Sequence, residues 1–132
     1  MIWEVNATDT YAEWLAEQSD EDRENILVSI ELLKVKGPML GRPHADTVSD
    51  SKHSNMKELR TQSDGDPIRS FFAFDPDRRA ILLCGGDKTG KKKFYEKMIH
   101  AADKEYDEHL KTLKGATDDK RTSTSGKRKP RS

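Results

Sequence analysis

The chain has 132 residues and no net charge, with 24 Lys/Arg against 24 Asp/Glu and 33% hydrophobic residues. That length fits one domain plus a tail, and the apolar residues concentrate in the first 110 positions, enough for a core without staples. A single cysteine, Cys84, excludes an internal disulfide and a zinc site built with scattered histidines; no basic-then-apolar leader opens the chain, and no apolar run approaches the roughly 20 residues of a membrane helix, so a reducing cytoplasm and no membrane contact are expected.

In chain order, Ile2-Trp3-Glu4-Val5 reads as a short strand. Thr8 or Asp9 can cap a helix in which Tyr11, Trp14 and Leu15 share a face. Ser19 followed by Asp20-Glu21-Asp22 starts a second helix, with acidic residues at its positive end. Its buried stripe is read as Ile26, Ile30 and Leu33, with Leu27, and Gly37-Pro38 stops it. Residues 37–55 read as a long loop of the kind that carries function or mobility.

Three strands are expected next. They are Met56–Thr61, Ile68–Phe74 and Ala80–Cys84, divided by Asp64-Gly65-Asp66 and Asp75-Pro76-Asp77 turns. In the second, Ile68, Ser70, Phe72 and Phe74 share one face, with Arg69, Phe71 and Ala73 on the other. Cys84 belongs to an apolar run and reads as a buried, inert thiol, and Gly85-Gly86 ends the strand. A last helix runs from about Lys91 to about Leu110, with Phe94, Met98, Ala101 or Ala102, and Tyr106 facing the core. Residues 113–132 read as a basic disordered tail behind a domain of residues 1–112, since no apolar residue follows Ala116. The fold class is α+β: an antiparallel meander, two N-terminal helices and one C-terminal helix.

Charge is unevenly sorted. Residues 1–51 hold 4 Lys/Arg and 11 Asp/Glu, whereas residues 52–93 hold 10 and 6, and residues 115–132 hold 6 and 2. A basic middle and tail beside an acidic first third point to an anionic partner. Lys57 and Arg60 on the first hairpin strand, Arg69 on the second and Lys88 beyond the third would gather at one end of the sheet. An arginine alternating with core residues needs a cleft or an acidic partner, and the alternative to a functional Arg69 is a salt bridge to Glu58. Gly85-Gly86-Asp87-Lys88-Thr89-Gly90-Lys91-Lys92 has the glycine spacing of a nucleotide-binding P-loop. Lys92 stands where the magnesium-holding Ser or Thr belongs, which favours a basic turn that meets nucleic-acid phosphates.

The blocks Met56-Lys57-Glu58-Leu59-Arg60, Pro67-Ile68-Arg69-Ser70-Phe71-Phe72-Ala73-Phe74-Asp75, Ile81-Leu82-Leu83-Cys84-Gly85-Gly86-Asp87-Lys88 and Phe94-Tyr95 resemble the phage-derived branch of the RelE/HigB toxins, over residues 1–112. The resemblance implies a RelE-like fold, a small twisted antiparallel sheet with two N-terminal helices and one C-terminal helix. It implies a toxin of a type II toxin–antitoxin system that cuts mRNA on the ribosome without a metal or other cofactor, the 2′-hydroxyl attacking the adjacent phosphate. Arg69 and Lys88 would be catalytic. Lys57, Arg60, Lys91, Lys92 and Lys93 would hold RNA or ribosomal RNA phosphates, and Tyr95 would stack on a base or cover the core. The implied partners are a helix-turn-helix, HigA-like antitoxin, the ribosome and mRNA, with DNA met only through the antitoxin complex. Other functions of the fold are gyrase poisoning of the ParE kind and a non-toxic phage-derived role. His44, His53, His100 and His109 occupy no obvious catalytic position, and overall neutrality departs from the strongly basic character of many relatives.

Overall fold

The structure is a computed structural model and describes residues 2–122. Strand β1 (Val5–Ala7) leads into helices α1 (Asp9–Ala16) and α2 (Asp20–Lys36), a 3-10 turn at Gly37–Met39, strands β2 (Ala45–Thr47), β3 (Met56–Ser63), β4 (Asp66–Phe74) and β5 (Ala80–Asp87), and helix α3 (Phe94–Thr122). The five strands form one sheet in the order β1-β5-β4-β3-β2. The β3-β4-β5 meander is antiparallel as expected, and β2 pairs antiparallel with β3. β1 instead lies parallel to β5, with Val5 opposite Ala80 and Ala7 opposite Leu82.

Local chemistry sets most of the boundaries. Thr8 Oγ1 accepts from the Tyr11 N–H and Ser19 Oγ from the Asp22 N–H, each satisfying a donor that the first helical turn leaves open. Gly37 closes α2 at φ +56°, and a Cβ there would strike the Trp3 indole. Asp64 and Gly65 both take positive φ, the condition for a two-residue hairpin whose twist matches its strands.

Several expected bounds move. The first strand is Val5–Ala7 rather than Ile2–Val5, because the Trp3 N–H donates to Lys34 O and its ring packs edge-on to Phe74, pinning this stretch to the end of α2. The loop of residues 37–55 contains the 3-10 turn and β2. β5 passes through Gly85 and Gly86 to Asp87. A Cβ at Gly85 would meet the Trp14 ring at 2.5 Å and one at Gly86 the Phe94 ring at 3.0 Å, so these glycines make room for aromatics and do not end the strand. α3 continues to Thr122, past Leu110, so residues 113–122 are helical where a disordered tail was expected; residues 123–132 lie outside the described residues. Leu27 is exposed, leaving Ile26, Ile30 and Leu33 as the buried stripe of α2.

The sheet is covered on both faces. Ile68 and Phe72 of β4, with Leu59, Ala80 and Leu82, pack on Tyr11, Ile26, Ile30 and Leu33 of α1 and α2. Phe71 and Ala73, with Met56, Ile81, Leu83 and Cys84, pack on Phe94, Ile99, Ala102 and Tyr106 of α3. A register shift at Phe71/Phe72 pairs Phe71 with Cys84 and Phe72 with Leu82. This bulge lets the adjacent Leu83 and Cys84 both join the α3 side. Burial, with Glu105 and Asp103 nearby, pushes the Cys84 thiol up to about 12. No helix among the described residues is long and apolar enough to cross a membrane.

The β4–β5 turn and α3 are joined by a buried carboxylate. Asp75 accepts from the N–H groups of Asp77 and Arg79 at 2.9 and 3.0 Å and pairs with His109 Nε2 at 2.8 Å. Burial opposes its charge, but these bonds and Arg79 hold it below the ordinary carboxylate value of 3.8. A depressed carboxylate stabilises the fold above the unfolded pKa and loses that contribution as pH falls through the folded one. Asp75→Ala is therefore expected to cost about 3 kcal/mol at neutral pH, read from urea unfolding, and the gap from the parent chain should narrow below about pH 4. A gap independent of pH would contradict this account. The Cys84 thiolate is disfavoured and shielded, so Ellman's reagent should label the chain only as fast as it unfolds.

Candidate functional site

The alternation of β3 and β4 settles which charged side chains meet. Met56, Phe71 and Ala73 face α3, so Glu58, Arg60 and Arg69 lie on that same face, beyond the N-terminal end of the helix. In register Arg60 stands directly opposite Arg69, and Arg69 opposite Gly86. Two arginines opposite one another repel, and an acidic group has to offset them.

Glu58 is that group. It is 4% exposed. Its Oε2 accepts from Arg60 Nε at 3.1 Å and Nη2 at 3.0 Å. Its Oε1 accepts from the Tyr95 hydroxyl at 2.7 Å and lies 3.6 Å from Arg69 Nε. Tyr95, on the first turn of α3, also accepts from Arg69 Nε at 3.3 Å. Burial and the bond to Glu58 raise the Tyr95 hydroxyl above its ordinary value, so it remains a donor at neutral pH. Arg69 is 9% exposed, and its Nη1 donates to Ile68 O at 3.2 Å. Among the described residues its Nη2 has no hydrogen-bond partner, yet it is not a sealed, unsatisfied atom. The fixed guanidinium thus offers one open edge.

Lys88 completes the cluster. Its backbone N–H donates to Pro67 O, tying the turn after β5 to the start of β4, and its Nζ sits over the Tyr95 ring, 5.3 Å from the centroid. Arg60 also reaches Asp46 of β2 at 3.3 Å, and Asp46 pairs with Arg42 at 2.9 Å. Hydrogen bonds from Thr47 and Arg42 hold Asp46 below its ordinary carboxylate value.

The structure therefore brings together Arg69, Lys88, Arg60 and Tyr95. Lys57 is on the opposite face of β3, in register with Phe72, and does not join them. Lys91, Lys92 and Lys93 are exposed in the turn before α3, and the Phe94 N–H closes that turn on Lys91 O. Tyr95 is half-buried between edge contacts to Phe71 and Phe94, with Lys88 over its ring; it covers the core and anchors the arginine. Of the two sequence readings of Arg69, the pairing with Glu58 is present, and the open Nη2 edge coexists with it. The central place of Glu58, and the involvement of Asp46 and Arg42, were not apparent from the sequence. Of the P-loop resemblance, Gly85 and Gly86 lie within β5 and not in a loop, and Trp14 and Phe94 fill the space beside them.

Residues 13–107, which contain every member of this cluster, match the family model described as phage derived protein Gp49-like. The chain belongs to the Gp49-like family. It is 46% identical over 99 residues to a Mycobacterium tuberculosis protein bearing the name toxin HigB2, covering 74% of this chain and 49% of that protein. A second M. tuberculosis protein, bearing the name toxin HigB3, is 44% identical over 103 residues, covering 77% and 89%. The chain thus spans about half the length of the first relative and most of the second. Among solved structures, a mutant of Escherichia coli toxin RelE in the free state aligns with a TM-score of 0.54 at 7% identity, covering 71% of this chain and 92% of that one. The archaeal RelE–RelB complex from Pyrococcus horikoshii aligns at 0.50 and 12%, covering 70% and 100%. The fold is RelE-like, and the chain is of the RelE/HigB kind that the sequence blocks resemble.

In this Gp49-like protein, Glu58→Ala would leave Arg69 without its carboxylate and Arg60 with Asp46 alone. Unfolding in urea should show a loss of about 3 kcal/mol, against about 1 kcal/mol for Tyr95→Phe, which removes one hydroxyl. Equal costs for the two would show that the carboxylate is not the anchor.

Proposed function

We propose that this protein is the toxin of a type II toxin–antitoxin system and a ribosome-dependent mRNA endonuclease acting in the cytoplasm. The observation that carries the reading is the open Nη2 edge of Arg69, held in place by Tyr95, Glu58 and Ile68 O. A guanidinium fixed on its other nitrogens meets a phosphate with little left to order. Names of relatives from toxin families point the same way.

In the proposed reaction the RNA 2′-hydroxyl attacks the adjacent phosphorus. The new bond joins the 2′-oxygen to phosphorus and the bond to the 5′-oxygen breaks, leaving a cyclic phosphate and a 5′-hydroxyl. Arg69 stabilises the charge that builds on the pentacoordinate phosphate. The Lys88 ammonium adds to that charge and delivers a proton to the departing 5′-oxygen, while the 2′-hydroxyl proton passes to solvent or a ribosomal group. Arg60, Lys91, Lys92 and Lys93 hold flanking phosphates. Lys57, on the other face, is left to more distant ribosomal RNA. Tyr95 acts by positioning Arg69 and Lys88, not as a stacking platform. The partner that restrains the toxin is a helix-turn-helix antitoxin.

Induced expression of the parent chain should arrest growth and create new mRNA 5′ ends within reading frames. Arg69→Ala with Lys88→Ala should abolish both, with single-turnover cleavage on programmed ribosomes falling about 100-fold or more. Arrest by a folded double variant would reject this site. A DNA damage response with intact mRNA would instead indicate a gyrase poison.

A further inference from the structure

Among the described residues the exposed large hydrophobic side chains are Ile2 (66%), Leu27 (46%), Val28 (64%), Val35 (57%) and Met39 (86%). All belong to α2, the turn after it, or the segment pinned to its end by the Trp3–Lys34 bond. Val28 and Val35, seven residues apart, lie on one line along the outer face, a strip that Met39 extends, while half-buried Leu32 between them packs partly on the core. The buried stripe of Ile26, Ile30 and Leu33 already supplies the contact with the sheet. Val28, Val35 and Met39 therefore stand outside the core, and apolar side chains left in water along one line mark an interaction surface.

Its borders are acidic. Asp20, Glu21, Glu24 and Glu31 are exposed on the same helix, against Lys36 and a Lys34 already paired with Glu31 at 3.1 Å. We propose that this face docks a basic amphipathic helix of a partner protein, apolar residues on the strip and Lys/Arg against the acidic border. The chain's own basic end does not suit it, because residues 117–132 contain no hydrophobic residue to fill the strip. A second copy would bring a like-charged border against this one. The surface lies across the sheet from the Glu58–Arg69 cluster, which faces α3, so the proposal stands apart from the reaction proposed above.

The test uses the isotope-labelled full chain and two synthetic helical peptides of about 18 residues, five turns long, one of Leu and Lys and one of Leu and Glu. The Leu/Lys peptide is expected to shift amide resonances within residues 20–39, and the Leu/Glu peptide to leave them in place. Val28→Asp with Val35→Asp should weaken binding about tenfold or more. Glu24→Lys with Glu31→Lys should transfer preference to the Leu/Glu peptide, and this variant carries the test if the first fails to fold by circular dichroism. Absence of Leu/Lys binding, shifts confined to other elements, or unchanged affinity in a folded variant overturns the proposal. Concentration-dependent dimerisation in sedimentation, lost in either variant, overturns it in favour of a second copy.

Discussion

The arrangement of the candidate site depends on one buried carboxylate between two arginines that the sheet register forces to face each other. Antiparallel pairing puts Arg60 opposite Arg69, and the strand alternation that buries Met56 and Phe71 holds both on the same face of the sheet. Glu58 answers both, one oxygen bonded to Arg60 and the other near Arg69 and bonded to Tyr95. The cost of burying these charges is offset only because each has several partners. The same geometry limits which nitrogen remains for a ligand. With Nε and Nη1 engaged, Nη2 is the available edge of Arg69, so the feature that stabilises the sheet also aims the guanidinium.

Tyr95 connects this cluster to the second core. Its hydroxyl belongs to the charge network and its ring to the aromatic group of Phe71 and Phe94, on which α3 seats. Phe94 in turn lies over Gly86, directly opposite Arg69. The start of α3, the end of β5 and the middle of β4 are thereby fixed to each other. Lys88 is carried to the Tyr95 ring by the same turn, so the two cations proposed for the chemistry share a single support.

What the sequence revealed divides along the same physical lines. Caps and turns at Thr8, Ser19, Gly37 and Asp64-Gly65 were legible because their causes are local: a side-chain acceptor, or a backbone conformation few residues tolerate. The meander and the faces of β4 followed from period-two alternation. β2 and the true bounds of β1 were not legible, since a three-residue edge strand is defined by its neighbour and not by its own composition. Gly85-Gly86 looked like a stop because the rings that require them come from α1 and α3. Leu27 was grouped with the buried stripe although it stands about 100° around the helix from Ile26. At the site, Arg69 was legible from the cost of burying it. The alternation that isolates Lys57 from Glu58 was also available in the sequence, and clustering by charge alone overlooked it.

Zero net charge is compatible with the proposed RNA-directed site because the charges are sorted by layer. Most acidic residues of the first third lie on α1 and α2, on one face of the sheet, while Arg60, Arg69, Lys88 and the Lys91–Lys93 turn collect beyond the α3 end of the other. Packed layers stand roughly 10 Å apart, about one Debye length at physiological salt. Each face is therefore felt by an approaching partner largely on its own terms. Neutrality of the whole chain says little about either face: one carries clustered cations, and the other carboxylates beside exposed apolar side chains. The two proposed partners, a polyanion and a basic helix, would therefore not compete for the same side chains.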